Sequence, residues 1–318
     1  MARTLGNTDL EVTPLGLGLA ALGRPGYINL GHAEDLAGNT DVESMERGAH
    51  AVLDAAYAGG IRYFDAARSY GLAEAFLASW LEQRGLGPDD VTVGSKWGYT
   101  YTADWRVDAK VNEVKDLSEA TLERQLTESQ ELLGNHLRLY EIHSATLDSG
   151  VLDDAAVMEE LARLRANGMA IGFTTSGPRQ GETIERALEV GGFDVVQSTW
   201  NLLDRSAGPA LEAAHKEGLG VIIKEALANG RLTARGDVPE LESAARTTGR
   251  TEDAIALAYV LAQPWVDVVL SGATTVPELA SNLVSRVLDL GPDVLERLDA
   301  IGEDAETYWE KRGELPWN

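Results

Sequence analysis

The chain has 318 residues with no cysteine, 44% hydrophobic and 25% charged side chains, the proportions of a folded globular protein, which exclude disorder and a collagen-like array. Without cysteine there is no disulfide framework, no thiolate nucleophile and no zinc ribbon, and the expected compartment is the cytoplasm. Twenty-seven basic against 51 acidic residues give a formal net charge of −24, a field that repels phosphate backbones and anionic membranes, so neither nucleic acid nor a membrane is expected as a partner.

In chain order, residues 4–7 and 10–14 flank Gly6-Asn7 and predict a small hairpin. The apolar stretch 15–22 follows; it is broken by glycines and preceded by Asp9 and Glu11, which is wrong for a signal peptide. Short runs at 15–22, 62–66, 91–96, 137–143, 170–175, 194–198, 220–224 and 266–271 predict eight strands. Between them lie amphipathic patterns such as 41–58, 73–82, 118–133, 153–167 and 251–261, with Asp41, Ser118, Asp153 and Thr251 as expected helix caps. Asn167-Gly168 and Glu217-Gly218 supply helix-ending glycines. The longest apolar run, 254–262, is stopped at Gln263-Pro264 and has about half of the ~20 residues that a membrane crossing requires. No Pro/Ser-rich linker interrupts the series, so residues 1–318 are expected to form one domain. Eight β-then-α units predict a (β/α)8 TIM barrel closed at the bottom by the hairpin, with a doubly wound open sheet as the alternative.

In such a barrel the chemistry lies at the C-terminal ends of the strands. These ends are polar: Asp65 on the second strand, Lys96 on the third, His143 on the fourth, Thr174-Thr175 on the fifth, Gln197 on the sixth, Lys224-Glu225 on the seventh and Ser271-Gly272 on the eighth. Ionisable groups are expensive in a barrel core unless paired. A lone histidine or a lone Lys-Asp pair reads as structural, but an acid, a lysine and a histidine at one end of three neighbouring strands read as a site. Tyr70 follows Asp65 by five residues and is succeeded by Gly71 and Glu74.

At Asp65, Tyr70, Gly71 and Glu74, with Lys96 in Val93-Gly94-Ser95-Lys96-Trp97-Gly98 and His143 in Tyr140-Glu141-Ile142-His143-Ser144, the sequence resembles the aldo-keto reductase superfamily. The resemblance extends from about Thr4 to about Leu290. It implies an NAD(P)H-dependent oxidoreductase that interconverts an aldehyde or ketone and its alcohol. Asp65, Tyr70, Lys96 and His143 would be the catalytic set, with Tyr70 as general acid/base. Carbonyl reduction needs a hydride on carbon and a proton on oxygen. A free tyrosine, with a pKa near ~10, gives up its proton reluctantly, and a nearby lysine cation in a low-dielectric pocket is expected to lower that value. Asp65 would hold Lys96, and His143 would orient the carbonyl oxygen.

The resemblance also assigns cofactor contacts. Ser271, Gly272, Ala273 and Thr274 precede a helix N-terminus, which suits a phosphate; Asn282 matches the family position that contacts adenine, and Gln197 the one that binds the nicotinamide amide. Three positions depart from the family pattern. Thr174-Thr175 stands where Ser-Asn is usual, Lys224 where an aromatic side chain stacks on nicotinamide, and Glu278 where an arginine often holds the 2′-phosphate of NADP. The family thus implies NADP(H), while Glu278 pulls toward NAD(H).

For the substrate, the loop 97–115 carries Trp97, Tyr99, Tyr101 and Trp105, aromatic faces that suit a sugar, a terpenoid or a planar ring equally. Two other readings stay open at this level. One is a cofactor-sensing binding subunit with slow turnover; the other is a TIM-barrel hydrolase pairing Asp65 with Glu141 or Glu225.

Overall fold

A computed structural model describes residues 2–318. Eight parallel strands close into a barrel: β1 Leu15–Gly18, β2 Tyr63–Asp65, β3 Thr92–Trp97, β4 Leu137–Ala145, β5 Ala170–Thr175, β6 Val195–Thr199, β7 Gly220–Lys224 and β8 Val268–Ser271. Each pairs with the next, and β8 returns to β1 through Val269 opposite Leu15. Closure excludes the doubly wound alternative. The hairpin pairs Arg3 with Val12 and Thr4 with Glu11. Its Leu5, Leu10 and Val12 plug the bottom of the barrel against Tyr63, Leu139, Val195, Ile222 and Val268. A second, larger apolar cluster joins the outer barrel face to the helices. The run at 254–262 belongs there, in the buried helix Glu252–Leu261. No helix among the described residues is long and apolar enough to cross a membrane.

Several boundaries move. The stretch 15–22 is strand only to Gly18, because the chain then turns and both Leu22 and Gly23 donate to the Leu19 carbonyl (3.1 Å each). The cap of Ala155–Ala166 is Asp154, which accepts from Ala156 and Val157; Asp153 lies in a short turn and pairs with Arg186. Thr251 occupies the cap position of its helix without a side-chain cap bond, its hydroxyl being bonded to Ser281. The aromatic loop after β3 is partly ordered as a ribbon, Tyr99–Tyr101 against Glu113–Lys115.

Candidate active site

Side chains of a strand alternate between faces, so residues two apart share one. Tyr63, Leu139, Val195 and Ile222 lie in the barrel interior. Two residues further along the same strands stand Asp65, Glu141, Gln197 and Lys224, which therefore form a polar layer directly above the apolar one. Glycines on alternate strands make room for it. A Cβ on Gly94 would lie 2.6 Å from the Tyr63 hydroxyl, and one on Gly172 2.9 Å from Glu141 Cγ.

Within this layer Lys96 Nζ donates to Asp65 Oδ1 and to the Ala66 carbonyl, the latter at 3.0 Å. The other Asp65 oxygen accepts from the Tyr63 hydroxyl at 3.2 Å and from Gln197 Nε2 at 2.9 Å. Gln197 Nε2 also donates to Glu141 Oε2 at 3.2 Å, while Glu141 Oε1 has no partner. Burial raises the Glu141 carboxyl to about 8, against the pull of Lys96 and with help from Asp65.

Tyr70 sits above Lys96, whose Nζ is 5.2 Å from the ring centroid, and meets the His143 imidazole edge to face at 5.5 Å. Burial, with Lys96, Lys224, Arg24 and Lys115 nearby, holds His143 well below its ordinary pKa. It is a neutral ring that can share one hydrogen bond with an oxygen. The Tyr70 phenol, by contrast, is held well above its ordinary value by burial and by Asp65, with Arg24 opposing. The expected lowering is thus not the direction here, because burial dominates and the Asp65 charge adds to it. Tyr70 holds its proton until something takes it.

A cavity of about 720 Å³ opens above these groups and runs from Asp65, Tyr70 and His143 to the loop after β8. Tyr99, Gln197, Lys224, Ser271, Gly272, Ala273, Thr274, Glu278 and Asn282 also line it. The remaining sequence-derived positions lie elsewhere. Lys96 is buried beneath the floor. Thr174 accepts from the Ser144 amide at 2.7 Å, and Thr175 is bonded to Ser198 at 2.7 Å, both fully buried. Trp97 is buried in the larger apolar cluster, as strand parity opposite to Lys96 requires. Trp105 donates its indole N–H to the Thr40 carbonyl at 2.7 Å and anchors its loop. Sequence reasoning missed Arg24, Tyr27, Glu113, Arg312 and Trp317, all of which line the cavity. They come from the loop after β1, the short ribbon after β3 and the C-terminal segment with its helix Ala305–Gly313, outside the repeating β-then-α pattern; the one local signal was a charged Arg24 among apolar and small residues.

The cavity fits a nicotinamide dinucleotide. One end holds the Tyr70–His143 pair beside Gln197, whose Nε2 is fully used on two carboxyl groups, so its carbonyl oxygen is the part left for a ligand amide. At the other end Gly272 has open space where a Cβ would stand, just before the helix Val276–Val284. Asn282 is oriented by Ser271 and Asp253.

The Aldo/keto reductase family model matches residues 14–303, and the chain belongs to that family. It is an NAD(P)-dependent oxidoreductase of the carbonyl/alcohol type. Its relatives include the oxidoreductase YrpG of Bacillus subtilis, 25% identical with 96% of this chain and 98% of that protein covered. Another is the L-galactose dehydrogenase of Arabidopsis thaliana, 26% identical over 97% and 92%. Among solved structures, the holo form of an aldo-keto reductase from Bacillus halodurans shares the fold with a TM-score of 0.73 at 22% identity, covering 96% of this chain and 99% of that one.

Proposed function

We propose that Tyr70 is the proton donor and acceptor of the reaction, and that the substrate is a hydroxylated carbonyl compound or the matching alcohol, a sugar being the leading class. The observation that carries the first part is the placement of the Tyr70 phenol at the cavity floor, edge-on to a neutral His143 and above the Lys96–Asp65 pair.

The nicotinamide supplies or receives the hydride when bound. In the reducing direction the substrate oxygen settles between the Tyr70 hydroxyl and the His143 ring. As charge develops on that oxygen the Tyr70 O–H bond breaks and the proton passes to it. Lys96 and Arg24 then lie near the phenolate that remains, which regains a proton from solvent. In the oxidising direction the phenolate takes the alcohol proton instead. His143, held neutral, steers the oxygen without competing as a charged acid.

Charge pairing supports the substrate class. The wall around Tyr70 and the cavity mouth offers Arg24 with Glu113 and Arg312 with Glu225, alongside the aromatic faces of Tyr27, Tyr99 and Trp317. Cations matched by acids favour a neutral ligand rich in hydroxyls, and flat rings stack on sugar faces. The dehydrogenase relative named for L-galactose agrees with this. Tyr99 takes the substrate-facing role in this reading, and Trp97 and Trp105 hold the scaffold. A paired-carboxylate hydrolase finds no support, since Asp65 is tied to Lys96, Glu141 is buried below the floor and Glu225 is spanned by Arg312.

Replacing Tyr70 with Phe keeps the ring and removes the proton. Turnover should fall by ~10²-fold or more, with cofactor affinity within a few-fold of the parent. Retention of more than about a tenth of the turnover, with hydride transfer rate-limiting, would reject Tyr70. A panel of aldoses and simple carbonyls under the same conditions tests the substrate class, and a preference for apolar ketones would reject it.

A further inference from the structure

The loop after β1 carries an arginine directly onto the proton donor. Two glycines permit this approach. The Leu72 amide donates to the Gly23 carbonyl at 2.7 Å, and a Cβ on Gly23 would lie 2.2 Å from the Tyr70 carbonyl oxygen, one on Gly71 2.3 Å from that of Gly23. The two loops are therefore in backbone contact, and the next residue, Arg24, lies over the Tyr70 ring with its guanidinium carbon 5.2 Å from the centroid.

Arg24 is almost fully buried, with a side-chain exposure of 3%. Its Nη1 donates to the Ser69 carbonyl at 2.9 Å, one residue before Tyr70, and to Glu113 Oε2 at 3.0 Å. Its Nε is buried without a partner. The guanidinium also lies 5.0 Å from the Tyr27 ring and 4.6 Å from that of Trp317, which leaves it little freedom to turn away. Tyr70 thus has a cation on two sides. Lys96 below is bonded at once to Asp65, whereas the arginine above is balanced by Glu113, a residue 27% exposed and open to the cavity.

We propose that Arg24 is a positioning residue for Tyr70, and that the Arg24–Glu113 pair sets how readily the phenol releases its proton. This rests on Tyr70 being the proton donor. The charged and titratable groups facing the phenol are Asp65 and Tyr63 from β2, Lys96 from β3, Glu141 and His143 from β4, Arg24 and Tyr27 from the loop after β1, and Glu113 from the ribbon after β3. Among them Asp65, Glu113 and Glu141 favour the protonated phenol, and Arg24 favours the phenolate. The two members of the pair therefore act in opposite senses, which separates an electrostatic role from simple support of the loop.

The test is the pH profile of single-turnover hydride transfer in the complete chain with bound cofactor and a carbonyl substrate. Arg24→Met should move the inflection that belongs to Tyr70 upward, and Glu113→Gln should move it downward, each by roughly half a pH unit or more. Arg24→Lys retains the charge and should stay near the parent. Tyrosinate absorbance, read as the difference between each protein and its Tyr70→Phe counterpart, gives the same ordering without turnover. Inflections that do not move, or that move in the same direction in Arg24→Met and Glu113→Gln, overturn the proposal while leaving Tyr70 as the donor. Should Tyr70→Phe keep the inflection, the assignment of the donor is wrong and the proposal falls with it. Glu113→Gln alone decides the sign if Arg24→Met does not fold.

Discussion

Lys224 shows what one side chain contributes at the cavity floor. Strand parity with Ile222 aims it inward, and its Nζ donates to the Thr199 hydroxyl at 2.9 Å and stands 3.9 Å from Glu225. Burial lowers its pKa to about 8, with Glu225 opposing the shift and Arg312 and Lys96 adding to it. Glu225 reaches the same cavity because it leaves the strand with a φ of 53° and turns its carboxylate onto Arg312, which spans both oxygens. Burial works against ionisation of Glu225, yet Arg312 and Lys224 bring its carboxyl down to about 2. Below pH 8 Lys224 is a cation near the place assigned to the nicotinamide, and its repulsion is felt only by the oxidised, positively charged ring. Lys224→Met should therefore tighten the oxidised cofactor by a few-fold and leave the reduced form almost unchanged. In the parent protein the ratio of the two dissociation constants should narrow in the same way as the pH rises through about 8, since deprotonation removes the same charge. Calorimetric titration of both redox forms at pH 7 and pH 9 checks both statements; a ratio independent of the substitution and of pH places Lys224 away from the ring.

At the scale of one element, the helix Val276–Val284 decides how the phosphate end behaves. A helix N-terminus presents free amides that suit an anion. Here two of them are already taken: Thr274 N and Thr275 N donate to Glu278 Oε2 at 2.9 and 3.2 Å, and Glu278 N donates back to the Thr275 hydroxyl at 3.3 Å. The other Glu278 oxygen accepts from Arg235 at 3.2 Å, and Arg235 is in turn paired with Asp35 in the loop after β1. If the adenosine end of the cofactor lies here, as the family resemblance implies, the carboxylate of Glu278 would oppose a 2′-phosphate by its charge. Preference for NADPH over NADH, read as a ratio of kcat/KM, should not exceed about tenfold, or ~1.4 kcal/mol. Glu278→Arg, which frees the two amides and reverses the charge, should shift that ratio toward NADPH. A parent preference of a thousandfold for NADPH would mean that another cation receives the phosphate and that Glu278 moves aside.

Across the whole molecule, the barrel interior is filled in layers, and the polar layer is held up by the apolar one beneath it. Tyr63 links them, since its ring packs in the core while its hydroxyl donates to Asp65. Gly94 leaves the space that this hydroxyl occupies. Gly94→Ala should therefore destabilise by about 1–3 kcal/mol as an overpacked core position, and it should also disturb the Lys96–Asp65 pair. Tyr63→Phe in the same chain removes the clashing atom and should recover part of the loss. Thermal unfolding of the two single variants and the double variant reads this, and a Gly94→Ala protein as stable as its parent would show that the layer has slack. At the mouth, the chain's end closes over the cavity: Tyr27 and Asn318 exchange backbone hydrogen bonds at 3.1 Å, Trp317 covers Arg24, and Arg312 holds Glu225.

The barrel and the order of its polar strand ends were readable from the sequence alone, because both depend on local patterns. A short β-branched run followed by an amphipathic helix needs no distant partner to be recognised, and Asp65, Lys96 and His143 mark their strand ends by being costly in an apolar interior. Parity within a strand also separates Lys96 from Trp97, which turns Trp97 into the larger apolar cluster and away from the substrate side. Other features had no local trace. Thr174 accepts from the Ser144 amide where Ser144, with a φ of 57°, interrupts the register near the end of β4. The Thr275-x-x-Glu278 capping box is itself a local signature, but the hold of Arg235 on Glu278 comes from 43 residues away. The cavity wall built from Arg24, Glu113, Arg312 and Trp317 joins segments hundreds of residues apart, and the burial of these charges becomes affordable only when each finds its counter-charge from another loop. Local chemistry and periodicity specified the scaffold and the candidate proton-transfer group; long-range burial and charge pairing decided the field around that group and the shape of the space above it.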